Sequence, residues 1–287
     1  WWVNDLFDLT QDSLAVRTAA GDLVAWATAL ALPTFRDAFQ IILEGRVHPA
    51  WRARGIGRAL LSWQLARGRE LHAARHPGSP AVLSVEAYTS MPSLERLLVR
   101  AGLTRERWYF VMERPLTDLP DVRAVEGVEL VPFTWDRDDA VRRVHNAAFT
   151  EHHGSAEHDE VTWRTLFTGQ RAFRPDLSVL AVADGAVVAY ALAYVFATDT
   201  AANGFEQVGL GQIGVLPSAR GRGLAKATIG AVLRAAAGRG CRSAWLQVDS
   251  ENVTGALGLY ESLGFTTRRT RVSWSLALPP VAAVHAQ

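Results

Sequence analysis

The residues best placed to do chemistry form a run rich in glycine and arginine. Val215-Leu216-Pro217-Ser218-Ala219-Arg220-Gly221-Arg222-Gly223-Leu224-Ala225-Lys226 reads as a strand end, a proline that cannot extend a β-ladder, a glycine turn and a helix entry. Glycines at such a turn let the backbone approach a ligand closely. The first N–H groups of the helix have no internal partner, so the entry is an anion site before any side chain contributes. Arg222 and Lys226 add positive charge. No Gly-x-x-x-x-Gly-Lys-Ser/Thr run occurs, and Lys226 follows Gly221-x-Gly223 where a dinucleotide fingerprint needs Gly or Ala, so nucleotide-kinase and dehydrogenase chemistry is disfavoured.

The same run occurs earlier. Val47-His48-Pro49-Ala50-Trp51-Arg52-Ala53-Arg54-Gly55-Ile56-Gly57-Arg58 lines up with Val215 to Lys226, and Leu97 to Leu103 lines up with Leu259 to Phe265. The separation is domain-sized, well beyond the ~20–50 residues of a solenoid repeat, so the chain reads as a tandem duplication. For one copy alone, a mere helix entry is a sufficient reading. Two copies, each between a Val-x-Pro strand end and a helix, favour the anion site.

The elements that position these turns repeat as well. In the first copy the pattern predicts strands at Leu14–Thr18, Leu23–Leu30 and Phe39–Val47, a helix over Ile56–Ala74, a strand at Val82–Glu86, a helix over Ser93–Arg100 and a strand at Trp108–Glu113. The second copy adds an opening strand at Val128–Val131 and helices starting near Thr134 and Val161. It then repeats the order. A hairpin turns at Asp184-Gly185, and a strand at Gln207–Val215 leads into a helix over Gly223–Gly238. A strand at Ala244–Val248, a helix over Thr254–Leu263 stopped by Gly264 and a strand at Thr266–Leu276 follow. The predicted domains are 1–118 and 127–287, joined by a proline-containing linker at 119–126.

Composition fits this division. The 287 residues are 49% hydrophobic and 21% charged, enough for two packed cores, and 30 Lys+Arg against 29 Asp+Glu leave no basic stripe for nucleic acid. Leu180–Phe196, the longest apolar stretch, is broken by Asp184-Gly185 and too short to span a bilayer. A single cysteine, Cys241, fits a reducing compartment. No secretion signal is read at the start, and Trp1-Trp2 without a methionine predicts a start lying upstream. The expectation is a cytoplasmic protein without nucleic-acid or membrane partners.

Val215-x-Pro217-x-x-Arg220-Gly221-Arg222-Gly223-Leu224-Ala225, followed by Asn252 and Leu259-Tyr260-Glu261-Ser262-Leu263-Gly264-Phe265, resembles the GNAT acetyltransferase superfamily. The duplication and the stretch Val248-Asp249-Ser250-Glu251-Asn252 are most similar to the double-domain members of the mycothiol synthase type. The resemblance implies an α/β (α+β type) fold of two tandem GNAT-like domains, each a mixed, mostly antiparallel sheet flanked by helices. It implies acetyl-CoA as co-substrate, no metal, and a small-molecule amine as acceptor, attacked directly in a ternary complex. The turn at Arg220–Lys226, and Val47, Arg52, Gly55, Gly57 and Arg58 in the first copy, would hold diphosphate. Ile213, Gly214 and Val215 would offer backbone groups to the pantetheine arm and the thioester carbonyl, and Asn252 would contact that arm.

Acyl transfer needs an acid for the departing thiolate and a base for the amine. By resemblance Tyr260 is the acid; its plain alternative is packing against the helix end. The first copy has Leu98 and Ser90 at the positions of Tyr260 and Asn252, so only the second domain is expected to catalyse. The family carries a Glu on the strand leading to Val-x-Pro, but Gly209 stands in register here. Glu206 is the nearest carboxylate and the candidate base, with a solvated hairpin residue as its alternative. Glu151, His152 and His153 fall where the family builds the acceptor pocket; adjacent histidines diverge and do not form a metal pair. A catalytically silent CoA-binding scaffold and a protein-modifying acetylase are the other functions these residues allow.

Overall fold

The computed structural model describes residues 7–150, 156–251 and 255–281. It divides into two compact units, one formed by 1–107 with 271–287 and the other by 108–270.

In the first unit, strands β1 (Ser13–Arg17), β2 (Leu23–Ala31) and β3 (Phe39–Val47) form an antiparallel run. Helix α1 (Ile56–Arg75) then crosses to β4 (Ala81–Tyr88), which is parallel to β3. Helix α2 (Pro92–Arg100) follows, and β5 (Thr104–Pro115) carries the chain into the second unit. There β6 (Glu129–Pro132) precedes α3 (Asp138–Phe149) and the short α4 (Glu160–Trp163), which continues into a π-turn over Arg164–Thr168. β7 (Val179–Ala183) and β8 (Ala186–Tyr194) form a hairpin, α5 (Ala197–Asn203) intervenes, and β9 (Gln207–Val215) runs antiparallel to β8. Helix α6 (Leu224–Arg239), β10 (Ser243–Asp249), α7 (Ala256–Ser262) and β11 (Thr266–Leu278) complete the chain.

The hairpin turn shows why the sequence folds here. Asp184 and Gly185 both have positive φ, 49° and 78°, the handedness a two-residue turn needs to match the strand twist. In the second unit the strand order is β6-β7-β8-β9-β10-β5, with β9 and β10 the parallel pair. Helix α6 lies on one face, where Ile229, Val232, Leu233 and Ala236 bury against Ala191, Ala193, Val208, Leu210 and Leu246. Helix α3 covers the other face, with Val141 and Val144 packed among Tyr190, Leu192 and Tyr194.

The compact units divide the chain differently from the linker expected at 119–126. Residues Tyr109 to Pro115 of β5 pair with β10 in the second unit, whereas Arg271 to Leu278 of β11 pair with β4 in the first. Val272 and Trp274 bury in the first unit's core, and Met112 in the second's. Each half of the chain thus lends its last strand to the other's sheet. Chain order alone does not encode that exchange, because the apolar alternation of a strand is satisfied by either partner.

The two glycine turns are geometrically alike. Gly221 and Gly223 have φ of 78° and 83°; the matching Ala53 and Gly55 have φ of 60° and 83°. Ala53 occupies the left-handed region at a cost of about 1 kcal/mol, since its Cβ crowds the following carbonyl. Ala53→Gly is therefore expected to raise stability by up to ~1 kcal/mol, the relief being partly offset by the freer unfolded chain. Denaturant unfolding of the variant checks this; a lower midpoint would contradict it.

Candidate active site

β9 is built to part from its neighbour. It pairs with β10 only over Gln207–Leu210, matched to Ser243–Leu246, although β9 runs on to Val215 and β10 to Asp249. Opposite β8 the register shifts at Gly211: Leu192 faces Gln212 while Ala193 faces Leu210. This bulge bends β9 away from β10 and leaves the β10-side edge of its last residues unpaired. Ile213, Gly214 and Val215 lie on that stretch, where backbone donors and acceptors are open to a ligand. β3 parts from β4 in the same way after Ile42 and Ser84, but its ladder with β2 is regular and carries no bulge.

Aromatic rings fill the space that glycines leave along β9. A Cβ at Gly209 would lie 2.8 Å from the Trp245 indole, one at Gly211 would lie 2.4 Å from the Tyr194 ring, and one at Gly214 would lie 2.5 Å from Tyr190. Tyr190 is held from behind by a 2.7 Å hydrogen bond between its hydroxyl and His145 Nδ1. His145 is itself buried on α3.

Beyond the gap the chain enters the turn. Leu216 N–H donates to Val188, Pro217–Ala219 forms a 3₁₀ turn, and Gly223 caps α6 with no side-chain hydrogen bond. The first turn of α6 holds no acidic residue, so its free N–H groups face outward uncompensated. Gly221 and Gly223 are exposed, with open space where a Cβ would stand, while Leu224 is buried and Ala225 and Lys226 are half-buried. Arg220 donates to the Ala148 carbonyl at the end of α3 (3.1 Å), which ties the turn to that helix, and Arg222 donates to the Glu126 carbonyl (3.0 Å). In the first unit Pro49–Trp51 forms the matching 3₁₀ turn and Gly55 caps α1, also without an acid in its first turn. There Arg52 turns back to the Val47 carbonyl (3.3 Å), and Gly57 and Arg58 lie in the first turn of α1.

Tyr260 lies on α7, on the α6 side of the sheet, and is 9% exposed. Its carbonyl accepts from Phe265 N–H while Glu261 accepts from Gly264 N–H, with Gly264 at φ 82°. This is a Schellman stop, completed by the edge-on contact of the Tyr260 and Phe265 rings at 6.3 Å. Leu98, Gly102 and Leu103 build the same stop in the first unit. Burial pushes the Tyr260 phenol up to about 12 from the ordinary 10. The hydroxyl therefore keeps its proton across the neutral range. As pH rises from 10 towards 12 the unfolded chain ionises first, so stability falls across that window and the loss persists above it. A pH–rate profile is expected to show no loss of its proton below about pH 11, and a Tyr260-dependent fall between pH 7 and 9 would contradict this.

Glu206 is not brought to the gap. It precedes β9 at the closed end, where its carbonyl accepts from Arg242 and its carboxylate lies 3.8 Å from Arg239. The length of β9 separates it from Val215 by about 30 Å at ~3.3 Å per residue. Nearness to the strand in sequence conceals this distance. Asn252, Glu151, His152 and His153 lie outside the described residues. Of the adjoining segment, His158 is half-buried, desolvation pulls its imidazole down, and its carbonyl is held by Arg142 and Asn146. Cys241 is buried in the core, and burial pushes its thiol up, so it is a packing residue. No three metal-ligating side chains converge among the described residues.

A strand fork beside an uncapped helix entry is a slot for an extended arm ending in an anionic group. The model of the acetyltransferase (GNAT) family matches residues 139–265, which contain the bulge, the gap, the turn and Tyr260. The chain is 34% identical to a mycothiol acetyltransferase of Frankia casuarinae over 92% of its own length and 74% of the relative's. It belongs to the GNAT acetyltransferase family. A crystal structure of a GCN5-related N-acetyltransferase from Sphaerobacter thermophilus superposes with a TM-score of 0.74 at 26% identity, covering 96% of this chain and 84% of that one. A tandem GNAT protein from the clavulanic acid biosynthesis pathway shares the fold, with a TM-score of 0.65 at 22% identity over 93% of this chain and 82% of that one. The chain is thus an acyltransferase of the tandem GNAT type, with the mixed sheets and flanking helices its sequence implied. No described helix is long and apolar enough to cross a membrane.

Trp245 and Glu113 were not marked by the sequence. The register Gly209↔Trp245↔Glu113 sets the three side by side across β9, β10 and β5 on the face opposite α6. Only the long-range pairing of β5 with β10 reveals this, and no local pattern signals it.

Proposed function

We propose that the second unit transfers the acetyl group of acetyl-CoA to the primary amine of a small molecule by direct attack in a ternary complex. The observation that carries this reading is the unpaired edge of β9 leading straight into the uncapped entry of α6. Diphosphate would sit on the amides of Gly221 to Lys226, the pantetheine arm along Ile213–Val215, and the thioester carbonyl against β9. Backbone donors fixed by the bulge would stabilise the oxyanion without reorganising. The amine nitrogen would bond to the carbonyl carbon, the C–S bond would break, Tyr260 would give its proton to the departing sulfur, and the proton lost by the nitrogen on becoming an amide would restore the Tyr260 phenol. Buried Cys241 supports direct transfer, since it offers no accessible thiol for an acyl-enzyme.

Relatives named mycothiol acetyltransferase support a small acceptor. In this reading the first unit is a non-catalytic duplicate: Leu98 replaces the acid, and β3 lacks the bulge. Initial-rate kinetics over a matrix of acetyl-CoA and amine concentrations are expected to give intersecting reciprocal plots. Parallel plots would overturn direct transfer, and absence of turnover with every amine tested would overturn the activity.

A further inference from the structure

The reading above needs a site for the acceptor amine, and the position where a β9 carboxylate is expected carries glycine. Gly209 is roofed by Trp245, whose ring atoms approach to 2.8 Å of a built Cβ, so no larger side chain fits there without displacing the indole. Trp245 stands at the fork itself, one residue before the last paired position, Leu246↔Leu210. It is half-buried, and Phe196 packs beside it with centroids 6.1 Å apart. On its other side Glu113 is its direct cross-strand partner. Directly opposed residues on one face have Cβ atoms about 5 Å apart, so the carboxylate borders the indole. Glu113 is 26% exposed and lies 3.5 Å from Arg269, a long contact at the rim that leaves carboxylate surface open.

We propose that Trp245 and Glu113 together form the acceptor's ammonium subsite, taking over from a neighbouring strand the role that β9 gives up at Gly209. A cation over an indole face is attracted by the ring quadrupole, more strongly where water is partly excluded. A carboxylate at the ring's edge completes the recognition and supplies a proton acceptor. One proton passes from the ammonium to the Glu113 carboxylate, giving a neutral amine and a carboxylic acid. The amine lone pair then forms the N–C bond as the C–S bond breaks. The second proton that the nitrogen sheds on becoming an amide replaces the one Tyr260 gives to the sulfur, and Glu113 releases its proton to solvent. The acceptor class is therefore an amine that docks as its cation against an aromatic floor, which excludes acceptors whose nitrogen is uncharged, such as amides and anilines.

The test uses the full chain with acetyl-CoA and a probe panel of glucosamine, spermidine, tryptamine and aniline. Wild type is expected to acetylate at least one of the cationic amines and not aniline. For the amine it uses, Trp245→Leu and Glu113→Gln are each expected to raise the acceptor KM at least tenfold while leaving the KM for acetyl-CoA within twofold. Glu113→Gln should also lower kcat, and Glu113→Asp should recover part of it, whereas loss of the Arg269 contact alone would change only the melting temperature. Trp245→Phe should retain most of the affinity, which separates loss of the ring from loss of folding. If wild type works but the acceptor KM of Glu113→Gln is unchanged, this subsite is wrong and the transferase reading stands. If wild type turns over no amine, both fail together.

Discussion

Tyr260→Phe is expected to lower kcat about a hundredfold while leaving acetyl-CoA affinity unchanged. The substitution keeps the ring that fills the α7 stop against Phe265, so the packing at 6.3 Å and the helix end persist. What it removes is one proton, held on a phenol that burial keeps protonated. A positioned general acid is worth about 10²–10⁴ in rate, and a phenol weakened to about 12 should fall at the lower end. The loss should depend on the leaving group. Acetyl thioesters of more acidic thiols need less help, so their rates should differ less between wild type and variant. An equal loss for all thioesters, or none for acetyl-CoA, would show that Tyr260 only packs.

Reversing the charge at the turn is the second large effect. Arg222→Glu with Lys226→Glu is expected to weaken coenzyme A binding at least a hundredfold. Folding should respond in the opposite sense. Acidic residues in the first turn of a helix are favourable, typically by 0.3–1 kcal/mol each, and α6 has none. Among the described residues Arg222 loses one exposed contact, to the Glu126 carbonyl. Stability should therefore stay level or rise while affinity collapses, a combination that general damage does not produce. Wild-type affinity should also fall with added salt, and the variant's should respond less, because screening acts on the charges removed. Equal affinity, measured by calorimetry, would place the diphosphate elsewhere.

Features set by local geometry were legible in the sequence. Asp184-Gly185 and the Gly221/Gly223 pair demand positive φ, so their neighbours declare a hairpin and a helix entry from a few residues. The Leu-x-x-x-x-Gly-Phe stop at α7 is of the same kind, with its hydrogen bonds closed within six residues. Pairing between distant strands was not legible. A strand's apolar alternation is satisfied by any partner, so the crossing of β5 and β11 between units left no local mark. That crossing sets Glu113 opposite Trp245, whereas Glu206, the nearest carboxylate in sequence, precedes β9 at the end where it pairs with β10. Ala53 shows a limit of a different sort: an exposed alanine takes the left-handed conformation that its own preferences oppose.

The most direct measurement is a crystal structure of the protein grown with coenzyme A. The diphosphate oxygens should lie 2.7–3.2 Å from main-chain nitrogens between Gly221 and Lys226, with the pantetheine arm running between β9 and β10 past Gly214. A cofactor bound away from this helix entry, or a filled fork with the α6 amides still facing solvent, would contradict the account.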